Sequence, residues 1–127
     1  MNQRNRKVLL VEDNSETREL LTNLLRSWGY TVEAVSDGLE ALDAARKHPP
    51  PCAVLLDLLL PVMSGWEVAA ELRKRENLSR VPVVVVSGCV GEKDSMLPPA
   101  HAHLAKPIDV GSLRRILGEI CSEPVPA

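Results

Sequence analysis

Short apolar runs alternate with longer amphipathic stretches along this chain. Residues 7–11, KVLLV, stop abruptly at two acids, as a buried strand does. Over 14–28, Leu20, Leu21, Leu24, Leu25 and Trp28 recur at helical spacing, which predicts one apolar helix face. Asp13 or Asn14 can cap that helix, and Gly29 can end it. Residues 31–35, TVEAV, alternate as a strand. After the Ser36-Asp37-Gly38 turn, Leu39, Ala41, Leu42 and Ala45 mark a second helix, stopped by the prolines at 49–51. Residues 52–56, CAVLL, predict a third strand, Pro61 to Gly65 a turn, and Trp66, Val68, Ala69 and Leu72 a third helix. Pro82 introduces a fourth strand, VVVV at 83–86. A weakly patterned stretch from Gly88 to Pro99 leads to a fifth strand, AHLA at 102–105. The last helix starts at an Asp109 cap and uses Val110, Leu113, Ile116, Leu117 and Ile120. The tail SEPVPA has the composition of a disordered segment.

The pattern is strand–helix repeated five times, which predicts an α/β fold with a doubly wound parallel sheet. The first, third and fourth strands are apolar throughout, as a sheet covered on both faces requires. Sites in such folds lie at the carboxyl ends of the strands.

Composition narrows the picture. The 127 residues fit one domain, and 45% are hydrophobic but only 2% aromatic, so the core is aliphatic. A net charge of -2 gives no general attraction to nucleic acid or to an anionic membrane. No apolar run approaches the roughly 20 residues that span a bilayer. The apolar segment behind the basic N-terminus is too short for a signal peptide. These features describe a cytoplasmic protein. Cys52, Cys89 and Cys121 are far apart and odd in number, which reads as reduced packing thiols.

The chemistry lies at the strand ends. Glu12 and Asp13 follow the first strand, Asp57 ends the third, Ser87 follows the fourth, and Lys106, with Pro107 after it, follows the fifth. The predicted topology brings all of them to one edge. Crowded carboxylates at a partly buried edge need a cation, and oxygen ligands of this kind suit Mg²⁺. Lys106 can hold a phosphoryl oxygen, Ser87 can donate to another, and Asp57 can act as a nucleophile, since carboxylates form aspartyl phosphates.

The stretches VLLVEDN (8–14), LLDLLLPVMSGWE (55–67), VPVVVVSG (81–88) and HLAKPID (103–109) resemble those of a response-regulator receiver domain, over roughly residues 6–121. The resemblance implies a flavodoxin-like sheet in the order 2-1-3-4-5 with five helices. It implies Asp57 as phosphoacceptor in a two-component phosphorelay. Glu12, Asp13 and the backbone carbonyl of Leu59 would complete a Mg²⁺ site with it. Lys106 would bind phosphate, Ser87 would be the switch hydroxyl, and His103 would stand where the family usually has a rotating Tyr or Phe. The implied partners are a histidine kinase or phosphotransfer protein and a downstream protein, with no direct nucleic-acid or membrane contact, for a monomer or weak dimer. The chain would be an acceptor with at most slow self-dephosphorylation, not an enzyme with its own turnover. A pseudo-receiver used only for docking is the alternative. A phosphatase of the aspartyl-phosphate kind would want an acid two residues after Asp57, where Leu59 stands.

The chain departs from the family pattern in several places. Glu12 replaces the more frequent Asp, Gly88 follows Ser87 where Ala is commoner, and His103 is neither Tyr nor Phe. The Ser87–Lys106 interval is about three residues short, close to one helical turn. A short, irregular or displaced fourth helix is expected there. Beyond the fifth helix, residues 122–127 read as a tail or linker, so the chain is expected to be either a stand-alone receiver or one cut from a larger protein.

Overall fold

The computed structural model describes residues 6–47, 50–75, 78–88 and 100–121. Five strands, β1 (Lys7–Val11), β2 (Thr31–Val35), β3 (Ala53–Asp57), β4 (Val83–Ser87) and β5 (Ala102–Ala105), form one sheet in the order β2-β1-β3-β4-β5. Every pairing is parallel. The described helices are α1 (Ser15–Ser27), α2 (Gly38–Ala45), α3 (Gly65–Lys74) and α4 (Val110–Cys121). This is the expected doubly wound, flavodoxin-like arrangement, with four helices among the described residues. The expected short or irregular helix between β4 and β5, and the expected tail at 122–127, lie outside the described residues.

The double winding follows from alternation along each central strand. In β1, Leu9 and Val11 face one way, with Val54 and Leu56 of β3 and Val83 and Val85 of β4. They pack under Ala41, Leu42, Ala44 and Ala45 of α2 and Val68, Ala69 and Leu72 of α3. Val8, Leu10, Ala53, Leu55, Val84 and Val86 face the other way, toward Leu21 and Leu25 of α1 and Leu113 and Leu117 of α4. A period of two sends successive side chains to opposite faces, so an unbroken apolar run fills both cores. Polar residues stand at strand ends and in the edge strands. Glu33 of β2 is held between Lys7 and Lys47 at 3.3 and 2.8 Å, and the Lys47 hydrogen bond, more than Lys7, keeps its pKa below the ordinary carboxylate value.

Caps set the helix boundaries. Asn14 accepts from the Thr17 N–H, Asp37 from the Glu40 N–H, and Ser64 and Glu67 form a reciprocal capping box. Gly29, at φ +95°, ends α1 in the left-handed region, with its N–H on the Arg26 carbonyl and that of Tyr30 on the Leu25 carbonyl. Two residues expected on apolar helix faces are not buried. Leu20 is 69% exposed, because the buried stripe runs through Leu21 and Leu25 with Leu24 and Trp28 half-buried beside them. Trp66 is exposed because α3 buries Gly65, Val68, Ala69 and Leu72, and residue 66 lies off that stripe.

The cysteines also correct the sequence reading. Cys52, just before β3, is disulfide-bonded to Cys121, the last residue of α4. Sixty-nine positions separate them in sequence. The parallel fold brings the two ends together at the amino edge of the sheet, a juxtaposition invisible in cysteine spacing.

The turn after β3 holds a strained residue. Val62 has φ 71° and is 75% exposed, so a β-branched residue occupies the left-handed region without burial in return. Val62→Asn is expected to raise the stability of the fold by about 1 kcal/mol, read as a higher midpoint in chemical denaturation. An unchanged or lower midpoint contradicts this strain assignment.

Candidate functional site

The carboxyl edge of the sheet is where buried apolar strands run out and polar groups begin. The Glu12 N–H donates to the Val35 carbonyl at 3.1 Å, extending the β1–β2 pairing by one residue and drawing the Glu12 side chain inward. Its Oε2 accepts the Asn14 N–H at 3.0 Å. Asp13 beside it is exposed. Asp57, last in β3, is buried. Its Oδ1 accepts the Leu59 N–H at 3.0 Å, and its Oδ2 accepts from Lys106 Nζ at 2.8 Å. The same ammonium lies 3.6 Å from Glu12 Oε1.

The backbone places Lys106. Its N–H donates to the Ser87 carbonyl at 3.1 Å, so β4–β5 pairing continues past the end of β5, and the following bond to Pro107 is cis. Ser87, buried, ends β4 one residue beyond the Val86 that pairs with Asp57. On the other side, α3 begins hard against β3. A Cβ on Gly65 would come within 2.5 Å of Leu58 Cα and 2.6 Å of the Asp57 carbonyl oxygen, so only glycine fits. Glu12, Asp13, Asp57 and Lys106 are thus brought together, with Ser87 at the adjoining strand end. The Leu59 side chain is exposed, while its N–H orients the Asp57 carboxylate. His103 stands apart. It pairs with Val85, is exposed, and lines a cleft of about 530 Å³ with His101, Arg73 and Arg80.

The charges are unbalanced. One carboxylate oxygen each from Glu12, Asp13 and Asp57 lie within 4.8 Å of one another, against a single ammonium. Burial raises the pKa of Glu12, and the charges of Asp57 and Asp13 push the same way. The Asn14 N–H and Lys106 oppose them without prevailing. Burial acts against the Lys106 ammonium, but the hydrogen bond and charge of Asp57, joined by Glu12, outweigh it and hold its pKa above the ordinary value. A donor set made only of oxygens, two of the three carboxylates being buried, fits a hard divalent cation of the Mg²⁺ class.

Sequence reasoning missed Arg18. Its Nη1 donates to the Glu12 and Asp13 carbonyls at 3.0 and 3.3 Å, tying the acidic loop to α1. The available signal was its sign, since a cation near a helix amino end opposes the helix dipole and calls for another reason.

The sequence matches the response regulator receiver domain over residues 8–117. The chain belongs to this family. It is 36% identical over 108 residues to the polar-differentiation response regulator DivK of Brucella ovis, covering 83% of this chain and 87% of that protein. Its fold is similar to the receiver domain of a Pseudomonas aeruginosa sensor histidine kinase, whose crystal structure has a magnesium ion coordinated in the active-site cleft. That likeness has a TM-score of 0.84 at 32% identity and covers 93% of this chain and 98% of the other. It is also similar to the chemotaxis response regulator CheY4 of Vibrio cholerae, with a TM-score of 0.81 at 27% identity over 90% and 97% of the two chains. Receiver domains are signalling modules of two-component systems, in general not enzymes, and interact with histidine kinases or phosphotransfer proteins. No helix among the described residues of this receiver domain is long and apolar enough to cross a membrane.

The acid cluster has a direct consequence for stability. A raised carboxyl pKa means the fold favours the protonated form, so ionised Glu12 opposes folding above its folded pKa, and the opposition is relieved as pH falls. At neutral pH without divalent cations, Glu12→Gln is expected to stabilise the receiver by about 1 kcal/mol, because the amide oxygen still accepts from Asn14 while one charge leaves the cluster. Added Mg²⁺ should raise the melting temperature of the parent chain more than that of the variant. A variant less stable than the parent in chelator contradicts the account.

Proposed function

We propose that this receiver accepts a phosphoryl group on Asp57 from the phosphohistidine of a histidine kinase or phosphotransfer protein, with Mg²⁺, in the cytoplasm. The observation that carries the reading is the Lys106–Asp57 contact of 2.8 Å inside an acidic cluster, made by residues 49 apart in sequence. A single lysine on a carboxylate is an ion pair. A lysine shared by two of three crowded carboxylates leaves a negative surplus that a divalent cation would offset, and only then is there a place for a phosphoryl oxygen beside the ammonium.

Glu12, Asp13, Asp57 and the Leu59 carbonyl would hold the Mg²⁺, which when bound supplies positive charge opposite the phosphoryl oxygens. The remaining work falls to this chain's own groups. The Leu59 N–H and Lys106 fix the plane of the Asp57 carboxylate before attack. One carboxylate oxygen forms the new bond to phosphorus as the bond from phosphorus to the donor imidazole nitrogen breaks, and the electron pair leaves on that nitrogen. Lys106 then exchanges its carboxylate partner for a phosphoryl oxygen. The Ser87 hydroxyl donates to another oxygen and draws the end of β4 with it. His103, two strand positions before Ala105, which pairs with Ser87, carries the change to the sheet edge that a downstream protein reads.

Incubation with acetyl phosphate and Mg²⁺ is expected to add one phosphoryl group, seen by intact mass. The gain should be lost in Asp57→Ala and slowed about tenfold or more in Lys106→Ala. A parent chain that folds, binds Mg²⁺ and takes up no phosphoryl group is instead a docking module, and the phosphoacceptor reading falls.

Lifetime is a separate matter. Leu59 and Cys89 occupy the flanking positions at which receivers tune phosphate loss, and neither offers a group to orient an attacking water. The phosphorylated form is expected to persist for many minutes, followed as decay of the mass gain after acetyl phosphate is removed. Loss within seconds contradicts this.

A further inference from the structure

We propose that Cys52 and Cys121 form a reversible thiol–disulfide site through which small-molecule disulfides control the anchoring of α4. The proposal rests on the placement of the two cysteines and not on the phosphoryl reading. Their Cα atoms are 5.4 Å apart, inside the range a disulfide spans without backbone movement. Both belong to the core beneath α1 and α4, with Cys121 buried in it and Cys52 half-buried at its rim. The Cys52 N–H donates to the Lys7 carbonyl at 2.8 Å, so the sheet fixes one partner of the bond. The other sits on the final turn of a helix whose carboxyl end bears no basic residue to oppose fraying.

The link stands away from the acidic cluster. Cys52 precedes β3 and Asp57 ends it, about 17 Å along five extended residues. Lys106 precedes α4 and Cys121 ends it, with a helix about 18 Å long between them. The ion pair of Lys106 with Asp57 therefore ties β3 to the segment that leads into α4 at one edge, and the disulfide ties the start of β3 to the end of α4 at the other. Opening the disulfide removes one clamp and leaves the other.

The chemistry is exchange with a disulfide such as oxidised glutathione. The more accessible Cys52 thiolate attacks one glutathione sulfur, that S–S bond breaks, and one glutathione thiolate leaves. The Cys121 thiolate then attacks Cys52 Sγ in the mixed disulfide and expels the second glutathione. Two protein thiols lose two protons and two electrons in total, and one small disulfide becomes two thiols. Reduced glutathione runs the sequence backwards.

The test uses the full chain equilibrated in glutathione buffers from oxidising to reducing, with alkylated cysteines mapped by mass spectrometry and melting followed in parallel. In oxidising buffer, Cys52 and Cys121 should be protected together. In reducing buffer both should alkylate, the melting midpoint should fall by on the order of 10 °C, and backbone amides of residues 117–121 should exchange faster. Cys52→Ser/Cys121→Ser should melt at the reduced value in every buffer. Alkylation of both cysteines in oxidising buffer overturns the proposal, as does a bond that stays closed throughout the reducing range. An equal midpoint shift in the double variant overturns it too. Should the double variant not fold, the thiol map and exchange of the parent chain decide alone.

Discussion

Charge buried at one edge of an aliphatic sheet is unfavourable, and the Lys106–Asp57 contact is the interaction that offsets part of that cost here. Asp57 ends a strand whose every residue is buried, so its carboxylate cannot turn away to bulk water. Glu12 is equally buried and lies within reach of the same ammonium. Leaving either charge without compensation at such depth is unfavourable by several kcal/mol. One lysine eases the cost for both acids without neutralising them and Asp13 together. The charge of the site is therefore compensated only in part by the chain's own lysine.

The architecture converts that local requirement into precise placement. Parallel pairing brings successive strand ends to one edge, and backbone hydrogen bonds continue past the formal strands. Glu12 pairs with Val35, Leu58 with Val86, and Lys106 with Ser87. Glu12 and Lys106 thus stand on ladder positions and not on free loops, which limits how far their side chains can stray. The close approach of Gly65 to Leu58 and of Gly38 to Met63 packs α3 and α2 against the same rim. Arg18 does the equivalent for α1 by gripping two carbonyls of the acidic loop. Three helices converge on the edge where charge is concentrated.

Much of this was legible in the chain because the physics is local. Apolar runs of four or five residues must be strands when they are too short for helices, and β1, β2 and β5 occupy the residues their patterns indicate. Asn14, Asp37 and Ser64 cap helices for reasons contained within three residues. The acids and the lysine were found by asking what stands at each strand end. What escaped depends on contacts distant in sequence or on helix phase. Cys52 and Cys121 meet only once β3 and α4 are laid side by side. Leu20 and Trp66 satisfy an apolar count but sit off the stripe that packing selects. Val62 has a side chain that gives no hint of the backbone angle imposed by the turn between β3 and α3.

The two edges of the sheet carry opposite kinds of closure. At the carboxyl edge, β3 and the segment leading into α4 are held by an ion pair whose strength depends on what else shares the site, so any ligand that competes for Lys106 changes how that end is fastened. At the amino edge, the fastening is covalent and indifferent to charge. Between these two fastenings, Leu113 and Leu117 hold α4 on the sheet by burial alone. A change of partner at Lys106 therefore alters the segment leading into α4 without releasing the helix, while the disulfide fixes the helix's far end. The covalent clamp and the electrostatic one are not redundant, because they act on opposite ends of the same packed unit and only one of them depends on the charge at the site.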